Sequence, residues 1–198
     1  MNNHTLDIKN KALEYISDSE TVIHSCMTEE ILGPLTNAFY MIQDCLRSGN
    51  LVICCGNGGS AADASHFAAE LVCRFEVERI GMRSISLTTD SQIITAIGND
   101  FDYSKIFSRQ IESIGSAGDV LVIFSTSGNS ENCLLAARIA SRKGINVILF
   151  TGSGNGIIEN EANIILQIPS RRTSHIQEAH RVLYHLLCLW LESSLDTV

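Results

Sequence analysis

The apolar positions of the chain change period at residue 50, and that change divides it. Before it, Ile8, Ala12, Leu13, Tyr15, Ile16 and Val22 recur at helical spacing and predict a helix over about 7–25, with a second helical segment over about 29–47. After it come short unbroken apolar runs at 51–55, 82–87, 119–124, 146–151 and 164–168, separated by glycine-rich or polar loops. Such a run bounded by glycine has the pattern of a strand buried on both faces of a parallel sheet. Helices are expected between the runs: one opening at the first glycine loop, a short one capped by Thr89 or Asp90 and ending at Gly98, and others over 104–114, 131–143 and near 157–160. A long last helix starts at about Ser174, with Leu183, Leu186, Leu187, Trp190 and Leu191 as its packed stripe. The alternation predicts a single α/β domain with a three-layer, doubly wound, five-stranded parallel sheet and right-handed crossovers. The two leading helices, within residues 1–49, either cover a sheet edge or pack against another subunit; residues 50–198 form the α/β body.

Two of the loops carry candidate chemistry. After the first strand, Gly56, Asn57, Gly58, Gly59 and Ser60 form a glycine cradle, with Ser60 at the expected helix N-cap. Free N–H groups and the positive end of the helix dipole favour a phosphate or sugar oxygen there, and Asn57 offers an amide to hydroxyls. The spacing matches neither the dinucleotide fingerprint nor a P-loop. After the third strand, Ser125, Thr126, Ser127, Gly128, Asn129 and Ser130 repeat the device with hydroxyls in place of most glycines, which suits phosphate. In a parallel sheet both loops lie at the C-terminal strand ends, where ligands bind. His66 and Glu70 stand four apart, about 40° round their helix; alone they read as a surface i,i+4 pair. Gln177, Arg181 and His185 lie at i, i+4 and i+8 on the last helix, within one broad face. Turn chemistry alone accounts for Asn99 and Asp100, expected in the loop beyond Gly98, while His175 and His180 read as solvated and His4 and His24 as part of the leading helices.

Composition narrows the function class. Fourteen Lys and Arg against 22 Asp and Glu leave a formal charge of −8, which argues against broad binding of a nucleic-acid backbone. Seven cysteines without a CxxC pair, mostly in apolar runs, read as reduced core residues of a cytosolic protein. The N-terminus lacks the basic and apolar regions of a secretion signal, and no stretch has the roughly 20 apolar residues of a membrane span, so a soluble cytoplasmic protein is expected.

Four motifs, GNGGSAADASHFAAEL, AIGNDF, STSGNS and IQEAHRVLYH, resemble in order and spacing the sugar isomerase (SIS) domain of the phosphoheptose isomerase family, over roughly 31–192. That resemblance implies a homotetramer with active sites near subunit contacts, converting sedoheptulose 7-phosphate to a heptose 7-phosphate for lipopolysaccharide, capsule or related glycans. It implies substrate contacts at Asn57, Gly58, Gly59, Ser60, Glu70, Asn99, Asp100 and Gln177, and phosphate contacts at Ser125, Thr126, Ser127 and Ser130. It also implies zinc on His66, Glu70, Gln177 and His185. An aldose–ketose interconversion needs a base to take a C–H proton beside a carbonyl and a group to stabilise the enediolate oxygen. Glu70 is the candidate base and His185 the candidate acid. Zinc could polarise the carbonyl, yet a carboxylate on zinc is a poorer base, so either Glu70 leaves the metal in turnover or the metal is chiefly structural.

CCGNG, HFAA, RFEVER and IPSRRTSHIQEAH also resemble a related SIS branch that binds the replication initiator DnaA as a non-catalytic tetrameric adaptor. That branch lacks the Glu and His that stand here as Glu70 and His185, which favours the isomerase. A SIS protein acting on, or sensing, another sugar phosphate shares the phosphate loop; the joint presence of His66, Glu70, Gln177 and His185 argues against it.

Overall fold

Residues 3–194 are described by the computed structural model, with side chains from residue 6 onward. Two helices, α1 (Asn3–Ser25) and α2 (Glu29–Arg47), precede the alternating body. The body runs β1 (Val52–Gly56), α3 (Gly59–Val72), β2 (Ser84–Ser86), α4 (Ser91–Asp100), α5 (Ser108–Ile114), β3 (Val120–Phe124), α6 (Glu131–Arg142), β4 (Asn146–Gly152), β5 (Ile164–Ile168) and α7 (Thr173–Ser194). Short 3₁₀ turns lie at Tyr103–Lys105 and Ile157–Glu161. All pairings are parallel and the strand order is β2-β1-β3-β4-β5, so the expected five-stranded parallel α/β sheet is present.

Alternation along the buried strands builds two cores, one on each face of the sheet. Val52, Cys54, Val120, Val122, Phe124, Ile148 and Phe150 turn toward α2, α3 and α7. Ile53, Cys55, Leu121, Ile123, Val147 and Leu149 turn toward α5 and α6. These are the three layers. The buried carboxylate of Asp119 pins the start of the central pair: Oδ1 accepts from Leu51 N at 2.8 Å and Oδ2 from Ser116 N at 2.7 Å. Six of the seven cysteines are buried and none is bonded to another; Cys73 is exposed.

Three local expectations change. The second apolar run pairs over Ser84–Ser86 alone, because β2 is an edge strand with a neighbour on one side only. The helix expected over 104–114 divides into a 3₁₀ turn and α5; Ile106 and Phe107, between them, are both driven into the second core. Asp90, rather than Thr89, caps α4, accepting from Gln92 N and Ile93 N. Of the leading helices, α2 covers the sheet, burying Ile31, Leu35, Ala38 and Ile42. α1 lies on α7 and keeps Leu13 and Ile16 more than 60% exposed.

Two histidines expected in solvent are buried. His175 donates from Nδ1 to Glu178 Oε2 (2.9 Å), while Tyr15 Oη and Ser19 Oγ donate to the same carboxylate at 2.5 and 2.6 Å, so the four residues fasten α1 to α7. Burial raises the Glu178 pKa, but the three hydrogen bonds outweigh it and hold it below the usual value. His180 sits fully buried against Phe124 and Phe150, with Nε2 3.3 Å from the Thr151 carbonyl. Both read as solvated in the sequence, but α7 is enclosed by α1 and the sheet on more than one face. His24 is exposed, and the side chain of His4 lies outside the described residues.

Burial pushes the His180 pKa down to about 4, opposed in part by the bond to Thr151. An unfolded histidine titrates near 6.5, so between these values the unfolded chain binds the extra proton and stability falls as pH drops. The loss from this group reaches about 3 kcal/mol near pH 4. Thermal unfolding from pH 7.5 to 4 should show it, and His180→Asn should remove that part of the pH dependence.

Candidate active site

The sheet order places both polar loops side by side. β1 leads outward to β2 and β3 leads the other way to β4, so the crevice between their C-terminal ends is a topological switch point. Gly56 is in register with Phe124, and the loops that follow, Asn57 onward and Ser125 onward, leave the sheet at one level. Between them lies a cleft of about 310 Å³ lined by Asn57, Gly58, Gly59, Ser60, Phe124, Ser125, Thr126, Ser127, Ser130, Thr173 and Gln177. All four expected phosphate-loop residues and the glycine cradle therefore meet one pocket, at the N-terminal ends of α3 and α6.

The cradle differs in detail from its expected form. Gly58, with φ +56°, is the capping residue, and Ser60 lies inside the first turn of α3, buried, its Oγ 3.4 Å from Gln177 Nε2. The chain reverses through positive φ, which glycine adopts without a Cβ clash and serine does not. The amide of Asn57 is also less free than expected. It exchanges two 2.8 Å hydrogen bonds with the amide of the buried Asn132, and Tyr103 Oη donates to its Oδ1 at 3.1 Å. Asn132 and Tyr103 come from distant segments and carry no motif that would reveal this contact.

His66, Glu70 and His185 form a second cluster, where α3 packs on α7. His66 Nε2 is 2.9 Å from Glu70 Oε1, and its ring stands edge-on to His185 with centroids 5.2 Å apart. Nε2 of His185 is buried without a partner. Burial, reinforced by the nearby His66, lowers the His185 pKa, while Glu70 opposes the shift. Phe75 lies against the His185 ring at 5.4 Å, and the segment carrying it is clamped by Glu192, whose carboxylate accepts from the N–H groups of Phe75, Glu76 and Val77. Arg79 completes the clamp. Its guanidinium is 3.3 Å from Glu192 and donates to the carbonyls of Glu70 and Leu71 at the end of α3. Nothing local in the sequence marks Phe75, Arg79 or Glu192; a charge pair separated by more than a hundred residues has no local signal.

Gln177 does not sit with that cluster. It leans on the glycine loop and Ser60, and eight residues of helix separate it from His185, about 12 Å along the axis. Gln177 and His185 both border a second cavity of about 450 Å³, and Gln177 also lines the cleft. Asn99 and Asp100 are outside both. They occupy the last turn of α4, which continues past Gly98, and Asn99 Nδ2 donates to Asp100 Oδ1 at 2.8 Å. Asp100 borders a different, largely apolar cavity with Ile93, Ile97 and Phe101. The expected loop does not form because Phe101 N bonds to Ile97 O and extends the helix.

The donor set for a metal is partly assembled. Among the described residues no group of three His, Cys, Asp or Glu side chains is drawn together as a metal site. The donor types of His66, Glu70 and His185 nonetheless fit zinc, and the unpartnered Nε2 of His185 is a ring nitrogen available as a ligand. Ligation by His66 would replace its bond to Glu70.

Two glycines test the cleft. A Cβ on Gly56 would lie 2.6 Å from Ser60 O and 2.8 Å from Phe124 O, both backbone atoms that cannot move alone. A Cβ on Gly59 would lie 2.7 Å from Nε2 of Gln177, the movable end of a side chain. Gly56→Ala is expected to cost at least about 1–3 kcal/mol of stability in thermal unfolding. Gly59→Ala should keep a Tm near the parent's while a crystal structure shows Gln177 displaced.

Comparison with known proteins gives this geometry its family. A family model described as the SIS domain matches residues 14–152. The phosphoheptose isomerase of Akkermansia muciniphila is 44% identical over 160 residues, covering 81% of this chain and 85% of that protein. That of Burkholderia pseudomallei is 42% identical over 195 residues, covering 95% and 98%. The structure of phosphoheptose isomerase from Neisseria gonorrhoeae matches with a TM-score of 0.87 at 37% identity, over 94% of this chain and 99% of that one. The DnaA-adaptor reading finds no support in these relatives. A parallel sheet with its polar cleft at the switch point, and likeness of this extent to named isomerases, have one conclusion: the chain belongs to the phosphoheptose isomerase family of SIS-domain proteins.

Proposed function

We infer that this chain is an aldose–ketose isomerase that converts sedoheptulose 7-phosphate to D-glycero-D-manno-heptose 7-phosphate for surface-glycan synthesis. The observation that carries the reading is the likeness to phosphoheptose isomerases over nearly the whole chain. In this reading the phosphate lies on Ser125, Thr126, Ser127 and Ser130 at the N-terminus of α6, where hydroxyl and backbone donors and the helix dipole favour a dianion. Gly58, Gly59, Ser60 and Gln177 face the sugar's oxygens. Glu70 takes a proton from C1 of the ketose, the electron pair forms the C1–C2 double bond of an enediolate, and a proton returned to C2 gives the aldose. His185 moves the accompanying proton between the two oxygens. Its lowered pKa keeps the ring neutral near pH 7, able to give a proton to one oxygen and accept from the other.

Zinc is part of the proposal: His66, Glu70 and His185 would hold it, and it would supply carbonyl polarisation, while Gln177, which the resemblance also implied as a ligand, stands apart in the cleft. A homotetramer in the cytoplasm is proposed with it. The exposed apolar residues Leu13, Ile16 and Met27 on and just after α1 suit burial against other subunits, and no helix among the described residues is long and apolar enough to cross a membrane. Assembly would also account for the distance between the two half-sites. Ser60 and Glu70 are ten residues apart on one helix, about 15 Å, so we propose that the cleft of one subunit is completed by the Glu70 and His185 of another.

Purified protein should turn over sedoheptulose 7-phosphate, with Glu70→Gln and His185→Ala each reducing kcat at least about 100-fold at unchanged fold. A chelator should lower activity and added zinc restore it. Inactive parent protein that captures DnaA would instead establish the adaptor. Subunit sharing has its own measurement: inactive Glu70→Gln and inactive Ser127→Ala chains, mixed into one assembly, should regain activity. Mixtures that stay inactive would put each site within one subunit.

A further inference from the structure

Away from the cleft, a second concave site gathers positive charge. Between α5 and α6, on the face of the sheet opposite α3 and α7, lies a cavity of about 280 Å³ that shares no lining residue with the cleft. Two cationic pairs border it. Lys105 and Arg109 stand on the helical turn that leads from the 3₁₀ turn into α5, and Arg138 and Arg142 lie one turn apart near the end of α6. Leu135 and Ile139 add apolar wall, and Glu112 is the one carboxylate in the lining. Four cations against one carboxylate run counter to a chain whose formal charge is −8.

This arrangement costs stability as it stands. Like charges four apart on a helix repel, and here two such pairs meet across one cavity. The nearby carboxylates cancel little of it. Nη1 of Arg109 is 3.6 Å from Glu112, longer than a hydrogen bond, and Arg138 spends only Nε on Glu161 at 3.2 Å, which leaves its two Nη groups for another acceptor. Asp102 is engaged as the cap of the 3₁₀ turn, accepting from Ser104 N. Lys105 and Arg142 make no ion pair among the described residues. The helix dipole accounts for Arg142, in the last turn of α6, but not for Lys105 and Arg109, which stand at the N-terminal end of α5 where a cation is unfavourable.

A bound polyanion accounts for all four. The guanidinium of Arg109 lies over the Phe101 ring at 4.4 Å, with Lys105 Nζ 5.9 Å from the same ring, and stacking leaves the N–H edge of a guanidinium free to donate. Guanidinium forks match phosphate oxygens two at a time, lysine adds a point charge, and apolar walls focus the field. One phosphate would meet one pair; two linked phosphates meet both walls. We propose that this cavity is a second anion site, which binds the diphosphate group of a small metabolite. It stands at the opposite end of α6 from Ser130, twelve residues or about 18 Å away, so one sugar phosphate does not occupy both. The inference does not depend on the chemistry proposed for the cleft.

Isothermal titration of the full-length protein with inorganic pyrophosphate, in about 0.15 M salt to screen loose surface attraction, is the test. One binding event is expected at least about tenfold tighter than that of inorganic sulfate. It should persist in Ser127→Ala, which alters the cleft, and weaken at least about tenfold in Lys105→Gln combined with Arg142→Gln. The double variant should unfold at or above the parental Tm, because repulsion has been removed. No binding by the parent, equal affinity for sulfate, or a double variant that keeps every event at parental affinity would each overturn the proposal. Loss of all binding in Ser127→Ala would overturn it too, by placing the anion in the cleft. If the double variant fails to fold, the single variants are read in the same way, and a parent crystal soaked in pyrophosphate must show it between the two cationic pairs.

Discussion

The parallel pairing of β1 with β3 is the constraint on which the rest of the site depends. It is in register for five residues, from Val52 with Val120 to Gly56 with Phe124, and every one of those residues is buried. Because the two strands lead to opposite sides of the sheet, the loops that leave them must diverge, and a crevice opens between two helix N-termini. A one-residue slip would exchange the two faces of a strand, sending Val52 and Cys54 to the α5–α6 core and Ile53 and Cys55 to the α2–α3–α7 core. It would also move one loop away from the other. Asp119, bonded to Leu51 N and Ser116 N at the opposite end, locks that register with a buried carboxylate.

Helix α7 carries the second dependence. One stripe of it, Leu183, Leu187 and Leu191, fills the core beneath the sheet; other faces reach in turn Glu178 and α1, Gln177 and the cleft, His185 and α3, and Glu192 and the Phe75 segment. Buried polar groups are thus concentrated on this helix and are satisfied from several directions. Glu192 shows why that is stable: burial opposes its charge, but three backbone N–H groups and Arg79 outweigh the penalty and hold its pKa below the usual value. His180, with a single weak partner, goes the other way and is neutral. Two groups on one helix, both buried, end one charged and one neutral according to whether enough partners meet the charged form.

Much of this was legible in the chain itself. Five apolar runs of strand length gave the sheet its strand count, and glycine loops gave the positions where ligand-facing turns open, because periodicity and backbone freedom are local properties. The composition of the loop from Ser125 to Ser130 marked it as a candidate for phosphate, since hydroxyls at a helix mouth are local too. Family resemblance added the roles proposed for Glu70, Gln177 and His185, and the kinship itself is shown by relatives that span the chain.

Tertiary structure decided what depends on contacts between remote residues. Asn57 is engaged by Asn132 and Tyr103; His175 and His180, expected in solvent, are enclosed; Asn99 and Asp100 end α4 away from the cleft. The pair at the centre of the proposed chemistry, His66 and Glu70, changed most. Spacing alone made it an ordinary surface i,i+4 pair, and it remains partly exposed, with side chains 38% and 22% accessible. Packing of α3 on α7 adds His185 beside it and Tyr184 behind it, residues more than a hundred positions away. A sequence specifies which groups a helix face offers. Which groups face each other, and so which way each proton points, follows only when two such faces are brought to hydrogen-bond distance.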